Sequence, residues 1–330
     1  MSTGDAGVPG GDGAGGSVVR GLIKLARPHQ WAKSAFVYIG PMYNLTQEPG
    51  KDRWAVLIAA TLAAIAFSLA SSGCYVFNDL ADREADRLHP RKKRRPIASG
   101  VIAPGLARVY GVVLLVGAFV PLIWLDRSVG PWVAAAVGIH IANVLLYSVW
   151  VKHRPIADVI SLSLGFVLRV IGGCAAVAIA PTTWLLNVTF FLSMFLAFGK
   201  RLGERRSMGS AEAAAGARKV QGRYSDEILR MVVVVTAVAT LLGYAGYVQT
   251  RDGSYQLELG SGPLAGFGFN LLWLTMLPAT YGLLRAMLLL ENGKFDDPTE
   301  LAAKDRAFQL AAVVFVGLTV ALTLFLPAQG

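Results

Sequence analysis

The sequence predicts an all-α polytopic membrane protein, and three observations predict it. The 330-residue chain is 54% hydrophobic, with a mean hydropathy of +0.51. Only 16% of it is charged, against about 25% in soluble domains. Apolar runs recur along the chain, several of them longer than the roughly 18 residues that cross a bilayer as a helix. The basic residues gather in alternate connecting loops, the pattern of a multi-pass protein with one cytoplasmic face.

Residues 1–17 are Gly-rich, with Ser and Asp, and read as a disordered tail without the basic and apolar regions of a signal peptide. Residues 18–330 read as one transmembrane catalytic domain. Val18 to Lys33 is amphipathic, with Leu22, Ile23, Leu25 and Ala26 set among Arg20, Lys24 and Arg27. That composition suits a surface helix leading into the membrane. The first span, about 31–45, is short and contains Pro41. Eight further spans follow at about 54–77, 104–125, 130–151, 157–179, 184–199, 228–250, 264–289 and 307–327, giving nine transmembrane helices.

Most of the 31 Lys and Arg fall on one side of that arrangement. The positive-inside rule therefore predicts a cytoplasmic N-terminus and places the acidic stretch after the second span on the cytoplasmic side. A net charge of +10 distributed in this way fits anionic lipid and phosphate substrates, not nucleic acid. Cys74 and Cys174 each lie inside an apolar segment and read as packing residues; there is no disulfide framework or zinc spacing. The loop around Asp297 reads as acidic surface.

The densest chemistry follows the second span, in Asn78-Asp79-Leu80-Ala81-Asp82-Arg83-Glu84-Ala85-Asp86. An uncharged run, Trp54 to Phe77, opens into these acids, and then into Arg91, Lys92, Lys93, Arg94 and Arg95. On one helix Asn78, Asp82 and Asp86 share a face, with Asp79 at its edge. Carboxylates one turn apart repel and need a cation. Magnesium suits this place, because it takes hard oxygen ligands and is commonly shared with substrate phosphate. An acidic, solvated helix end is the simpler alternative.

Four further groups are candidates. Lys200, Arg201 and Glu204 follow the sixth span; Lys200 and Glu204 equally suit an ion pair one helical turn apart, while the basic pair suits phosphate. Lys152, His153 and Arg154 close the fourth span, with Tyr147 about one turn above Lys152. Asp158 and Arg169, eleven residues apart in the fifth segment, fall within about 20° of one helical face. An ionisable residue inside a span faces the interior or a wet cavity. Arg169 therefore reads as a functional group or as the partner of an acid on a neighbouring helix. Trp31 and Lys33 suit the headgroup zone.

Asn78-Asp79-x-x-Asp82-x-x-x-Asp86, followed by Arg95-Pro96-Ile97-Ala98-Ser99-Gly100, resembles the signature of the UbiA-type intramembrane prenyltransferase superfamily. The resemblance implies an all-helical bundle with a cytoplasmic-side active site, in which aspartate-rich motifs hold a diphosphate through magnesium. The second such motif is absent, and Lys200-Arg201-x-x-Glu204 stands in its place. Together with Arg27-Pro28-x-Gln30-Trp31-x-Lys33, Tyr147 to His153, Asp158 and Gly165 to Arg169, this is similar to the decaprenyl-phosphate phosphoribosyltransferase branch.

That resemblance implies magnesium, phosphoribosyl pyrophosphate (PRPP) and a polyprenyl phosphate as cofactor and substrates. It implies Asn78, Asp82 and Asp86 as metal ligands and Asp79, Asp82, Asp86 and Glu204 as catalytic residues. Lys33, Tyr147, Lys152, Asp158, Arg169, Lys200 and Arg201 become substrate-binding residues, with Lys200 and Arg201 on the 5-phosphate. The product would serve cell-wall arabinan synthesis, and a homo-oligomer is compatible with the reading. Conventional prenyl transfer onto an aromatic acceptor is the alternative, and a membrane transporter is the remote one.

Overall fold

A computed structural model describes residues 12–45, 52–89, 92–207, 224–250, 256–258, 268–293, 301–302 and 304–325. Residues 1–11 of the expected tail, and Asp297, lie outside the described residues. Eleven helices are used below: α1 (Asp12–Ala26), α2 (Ile39–Leu45), α3 (Arg53–Ala81), α4 (Arg83–Leu88), α5 (Pro104–Gly117), α6 (Gly130–Val149), α7 (Ala157–Ala176), α8 (Thr183–Ser207), α9 (Asp226–Gln249), α10 (Met276–Glu291) and α11 (Arg306–Phe325).

Each of the nine expected apolar segments is mainly helical where it is described. Among the described residues seven helices are long and apolar enough to cross a membrane: α3, α5 with its 3-10 extension to Trp124, α6, α7, α8, α9, and α10 with the 3-10 turn from Leu271. The apolar part of α11 is shorter, Arg306–Leu322. Local signals start several of them. The Asp52 carboxylate accepts from the Trp54 N–H at 2.9 Å, and Ser225 caps α9 by accepting from the Ile228 N–H. Pro104 opens α5, where a missing N–H leaves no lost bond.

Three expectations change at element ends. The first span is a 3-10 helix from Pro28 to Tyr38 followed by α2, not one helix. It lies hard against α7: a Cβ on Gly173 would meet the Val37 carbonyl oxygen at 1.9 Å. That approach is possible only for glycine. Helix α1 starts at Asp12, within the segment expected to be a tail. Leu25 anchors it by packing on Val76, Ile97 and Ile102, and this tertiary contact outweighs the low helix propensity of the glycines before it. The segment expected from 264 is a strand at Gly268–Asn270, antiparallel to Gln256–Glu258, and turns helical only from Leu271.

The two larger cores divide the bundle. One gathers Phe67, Ala70, Val133, Val137 and their neighbours from α3, α6 and α7 around the 3-10 stretch. The other joins Val159 of α7 to Phe195, Phe198 and Leu202 of α8, Leu229 and Val233 of α9 and Leu290 of α10. Helix α7 belongs to both. Both cysteines are buried and unbridged.

Candidate functional site

The acidic sequence sits where α3 gives way to α4. Asp82, at φ −88° and ψ 2°, breaks the helix. The hydrogen bonds still run through the break, from the Asp82 N–H to the Asn78 carbonyl at 2.9 Å and from the Asp86 N–H to the Asp82 carbonyl at 2.8 Å. The acids do not share the expected Asn78–Asp82–Asp86 face, and they part into two groups.

Asp79 and Asp86, seven residues apart, turn inward together and are each 3% exposed. Arg95 holds both with one nitrogen, at 2.9 Å from the Asp79 carboxylate and 2.7 Å from that of Asp86. Arg27 adds a second donor to Asp79 at 2.5 Å. Arg27 reaches it from a left-handed backbone position, φ 53°, with its guanidinium 4.8 Å from the centre of the Tyr75 ring. Asp79, expected at the edge of the face, is thus the most heavily paired of the three aspartates. Asn78 and Asp82 form the other group. Asp82, a third exposed, receives Lys152 Nζ at 2.7 Å and the Asn78 amide at 3.3 Å. Of the three aspartates, Asp82 with the Asn78 amide beside it reaches the interface with solvent, while Asp79 and Asp86 lie behind in arginine.

Lys152 is presented by a 3-10 turn, Val151–His153, and the chain then makes an unusual bend into α7. Ile156 has φ 67° and ψ −52°, and the Ala157 N–H donates to the Pro155 carbonyl at 2.7 Å. This is a γ-turn of the rare positive-φ kind, a strained geometry for a β-branched residue. The Tyr224 hydroxyl accepts from the Ile156 N–H. Arg201 donates to the same hydroxyl at 3.4 Å and is ion-paired with Asp158, the second residue of α7. Burial holds the Tyr224 phenol above its ordinary range, so it stays protonated and keeps its place in this network.

Asp158 and Arg201 are each 2% exposed. Expected to bind substrate, the two here satisfy each other's charges and face the second core. They position α7 and the bend before it. Lys200 and Glu204 lie on the same last turns of α8, half-buried.

Of the two courses expected for Arg169, pairing with an acid on a neighbouring helix is not the one it takes among the described residues. It is 5% exposed and donates to the Gly165 carbonyl at 2.8 Å and to Ser71 of α3 at 2.7 Å. Among the described residues no carboxylate pairs with it. It borders a cavity of about 130 Å³ between α3, α6, α7 and the 3-10 stretch, which Lys33, Asn78, Tyr147 and His140 also line. The cavity thus runs from Asn78, next to Asp82, down to Arg169. It brings Lys33, Tyr147 and Arg169 together, and leaves out Lys200, Arg201 and Glu204. His140, on α6, was missed from sequence; an ionisable side chain in an otherwise apolar span was the available signal.

Among the described residues no three His, Cys, Asp or Glu side chains are grouped to hold a metal ion. The donor chemistry nevertheless fits magnesium. Asn78 and Asp82 offer hard oxygens at the mouth of a phosphate-sized cavity, and such a site needs only one or two carboxylates when substrate supplies the rest.

Known proteins resemble this chain in sequence and in fold. The UbiA prenyltransferase family model matches residues 35–313. A decaprenyl-phosphate phosphoribosyltransferase of Mycolicibacterium smegmatis is 33% identical over 301 residues, covering 91% of this chain and 92% of the relative. The protein of the same name from Corynebacterium glutamicum is 33% identical over 299 residues, covering 90% and 84%. The structure of a UbiA homolog from Archaeoglobus fulgidus bound to DMAPP and Mg2+ superposes with a TM-score of 0.64 at 16% identity, over 92% of this chain and 98% of that one. This multi-pass integral membrane protein, with its all-helical fold and its transferase chemistry, belongs to the UbiA prenyltransferase family.

Proposed function

We propose that the protein transfers 5-phosphoribose from PRPP to decaprenyl phosphate, giving decaprenyl-phosphoryl-5-phosphoribose and pyrophosphate for cell-wall arabinan precursors, at the cytoplasmic face of the plasma membrane. The observation that supports it best is the cavity beside Asp82: it carries Lys33 and Arg169 and, among the described residues, has no acid in its lining. Such a chamber suits a sugar bearing phosphates better than an aromatic acceptor. Relatives a third identical over nine-tenths of the chain carry the corresponding name.

Asn78, Asp82 and Asp86, with Asp79 behind them, are the groups that would hold magnesium. When bound, magnesium would neutralise charge on the diphosphate leaving group. To hold magnesium, Asp82 would give up Lys152 and Asp86 would give up Arg95. The released cations are then placed for the diphosphate. The bond from ribose C1 to the diphosphate oxygen breaks, and one from C1 to the lipid phosphate oxygen forms on the opposite face. A lipid phosphate is already ionised, so no strong base is needed and catalysis is positioning and electrostatics. Lys33, Lys152 and Lys200 supply positive charge around the phosphates, Tyr147 the cavity wall, and Glu204 a partner for the ribose.

Purified protein in detergent, given labelled PRPP and decaprenyl phosphate, should form ribosylated lipid and pyrophosphate only with magnesium present. Prenyl transfer from a prenyl diphosphate to an aromatic acid, with no phosphoribosyl transfer, would overturn the proposal.

A further inference from the structure

The inner end of the cavity is a built site for an anion. Arg169 lies roughly twelve residues inside α7, near the middle of the bilayer, where an uncompensated charge is costly. Two of its nitrogens are engaged, at 2.8 Å and 2.7 Å, by a backbone carbonyl and a serine hydroxyl. Its Nε, fully buried, has no hydrogen-bond partner. His140, 1% exposed, presents Ser71 with Nε2 at 3.2 Å, and its Nδ1 also lacks a partner. Ser71 thus ties Arg169 to His140, and each of the two contributes a buried, unpartnered nitrogen.

The aromatic contacts do not compensate this charge. Phe166 and Phe67 stand 5.8 Å and 6.0 Å from the guanidinium, at the outer limit of a cation–π contact. Gly165 adds room: a Cβ there would lie 3.6 Å from the His140 ring and 3.7 Å from Arg169. Asn143 and Ser161, paired at 2.9 Å, set further polar groups on the wall. A pocket of about 130 Å³ that carries Arg169 and Lys33 is too small for a prenyl chain.

We infer that the pocket formed by Arg169, Ser71 and His140 receives a phosphate monoester, and that this is the 5-phosphate of the phosphoribosyl donor. Assignment to the donor rests on the function proposed above; the anion site itself does not. Ser71 lies seven residues before Asn78 on α3, about 10 Å deeper along the helix axis. A donor with its diphosphate at Asn78 and Asp82 therefore points its far end at Arg169. The sealed Arg201, occupied by Asp158, is not available for this role. Depth becomes the basis of selectivity, since a diphosphate lacking the second phosphate leaves Arg169 uncompensated.

The test is calorimetric binding of ribose 5-phosphate, of magnesium pyrophosphate and of decaprenyl phosphate to the full-length protein in detergent. Wild type is compared with Arg169→Met, Arg169→Lys and Gly165→Ala. The alanine makes only ordinary contacts and narrows the pocket, so it tests the site even where removal of the arginine impairs folding. The expected result is tenfold or greater weakening of ribose 5-phosphate by Arg169→Met, a smaller loss for Arg169→Lys, a clear loss for Gly165→Ala, and pyrophosphate binding within twofold of wild type. Unchanged ribose 5-phosphate binding in Arg169→Met and Gly165→Ala overturns the inference. Weakened decaprenyl phosphate with unchanged ribose 5-phosphate also overturns it, by giving the pocket to the acceptor. Retained ribose 5-phosphate binding in a protein that transfers no phosphoribose would sink the proposed function and leave the pocket standing.

Discussion

Two charged regions of this protein use the same kinds of residue in opposite ways. At the α3–α4 junction, Asp82 is a third exposed and its partner Lys152 is a fifth exposed. At the α7–α8 crossing, Asp158 and Arg201 are both closed off. The first pair can exchange partners with a ligand at small cost, because a half-solvated ion pair gains little. The second cannot, because separating a buried pair leaves a charge without water or partner. A charged motif in a membrane protein therefore has to be judged by whether its charges can be released. The γ-turn at Ile156 joins the two regions, since it carries the chain from Lys152 to Asp158 while Tyr224 and Arg201 hold it.

The sharpest way to break this contrast is substitution at the open pair. Asp82→Asn should reduce phosphoribosyl transfer on the order of 100-fold or more, while the melting temperature in detergent moves little, because the side chain is partly solvated. A large loss of stability there would place Asp82 in the structural class.

The closed pair should behave in the reverse way. Arg201→Met alone leaves Asp158 buried and uncompensated, a loss of about 3–5 kcal/mol, read as a fall in melting temperature. Removing both charges, in Asp158→Leu/Arg201→Met, should recover most of that stability, together with substantial activity. Recovery of stability without activity would mean that the pair also contacts substrate. Lys152→Met should raise the apparent KM for PRPP about tenfold, with Lys152→Arg intermediate, if this lysine passes from Asp82 to the diphosphate. A fall in kcat alone would separate it from binding.

The smallest expected effect is at the link. Tyr224→Phe removes the acceptor of the Ile156 N–H and should cost about 1–3 kcal/mol. Ile156→Gly in the same background should return part of it, since glycine tolerates positive φ. If the glycine gives no recovery, the bend is not under strain.

The sequence made the spans, the acidic donors and the oddity of Arg169 legible, because hydropathy and intramembrane charge are local properties. Partner choice was not legible. A straight helix puts Asn78, Asp82 and Asp86 together, but Asp82 breaks the helix and Arg95 returns from a later loop to draw in Asp79 and Asp86. Asp158 and Arg169 do lie on one helix, yet one meets α8 and the other α3, a matter of tertiary packing. Pro155-Ile156 carries none of the glycine or asparagine that signals positive φ, so the γ-turn gave no warning. His140 was hidden in an apolar run, and only the presence of an ionisable group inside a span could have marked it.

The measurement that bears most directly on the whole account is a magnesium titration of phosphoribosyl transfer to decaprenyl phosphate by wild type and Asp82→Asn, side by side. The account predicts saturating activation of the wild type, and a variant that recovers only in part at much higher magnesium. Near-normal turnover of a folded Asp82→Asn protein at limiting magnesium would contradict it.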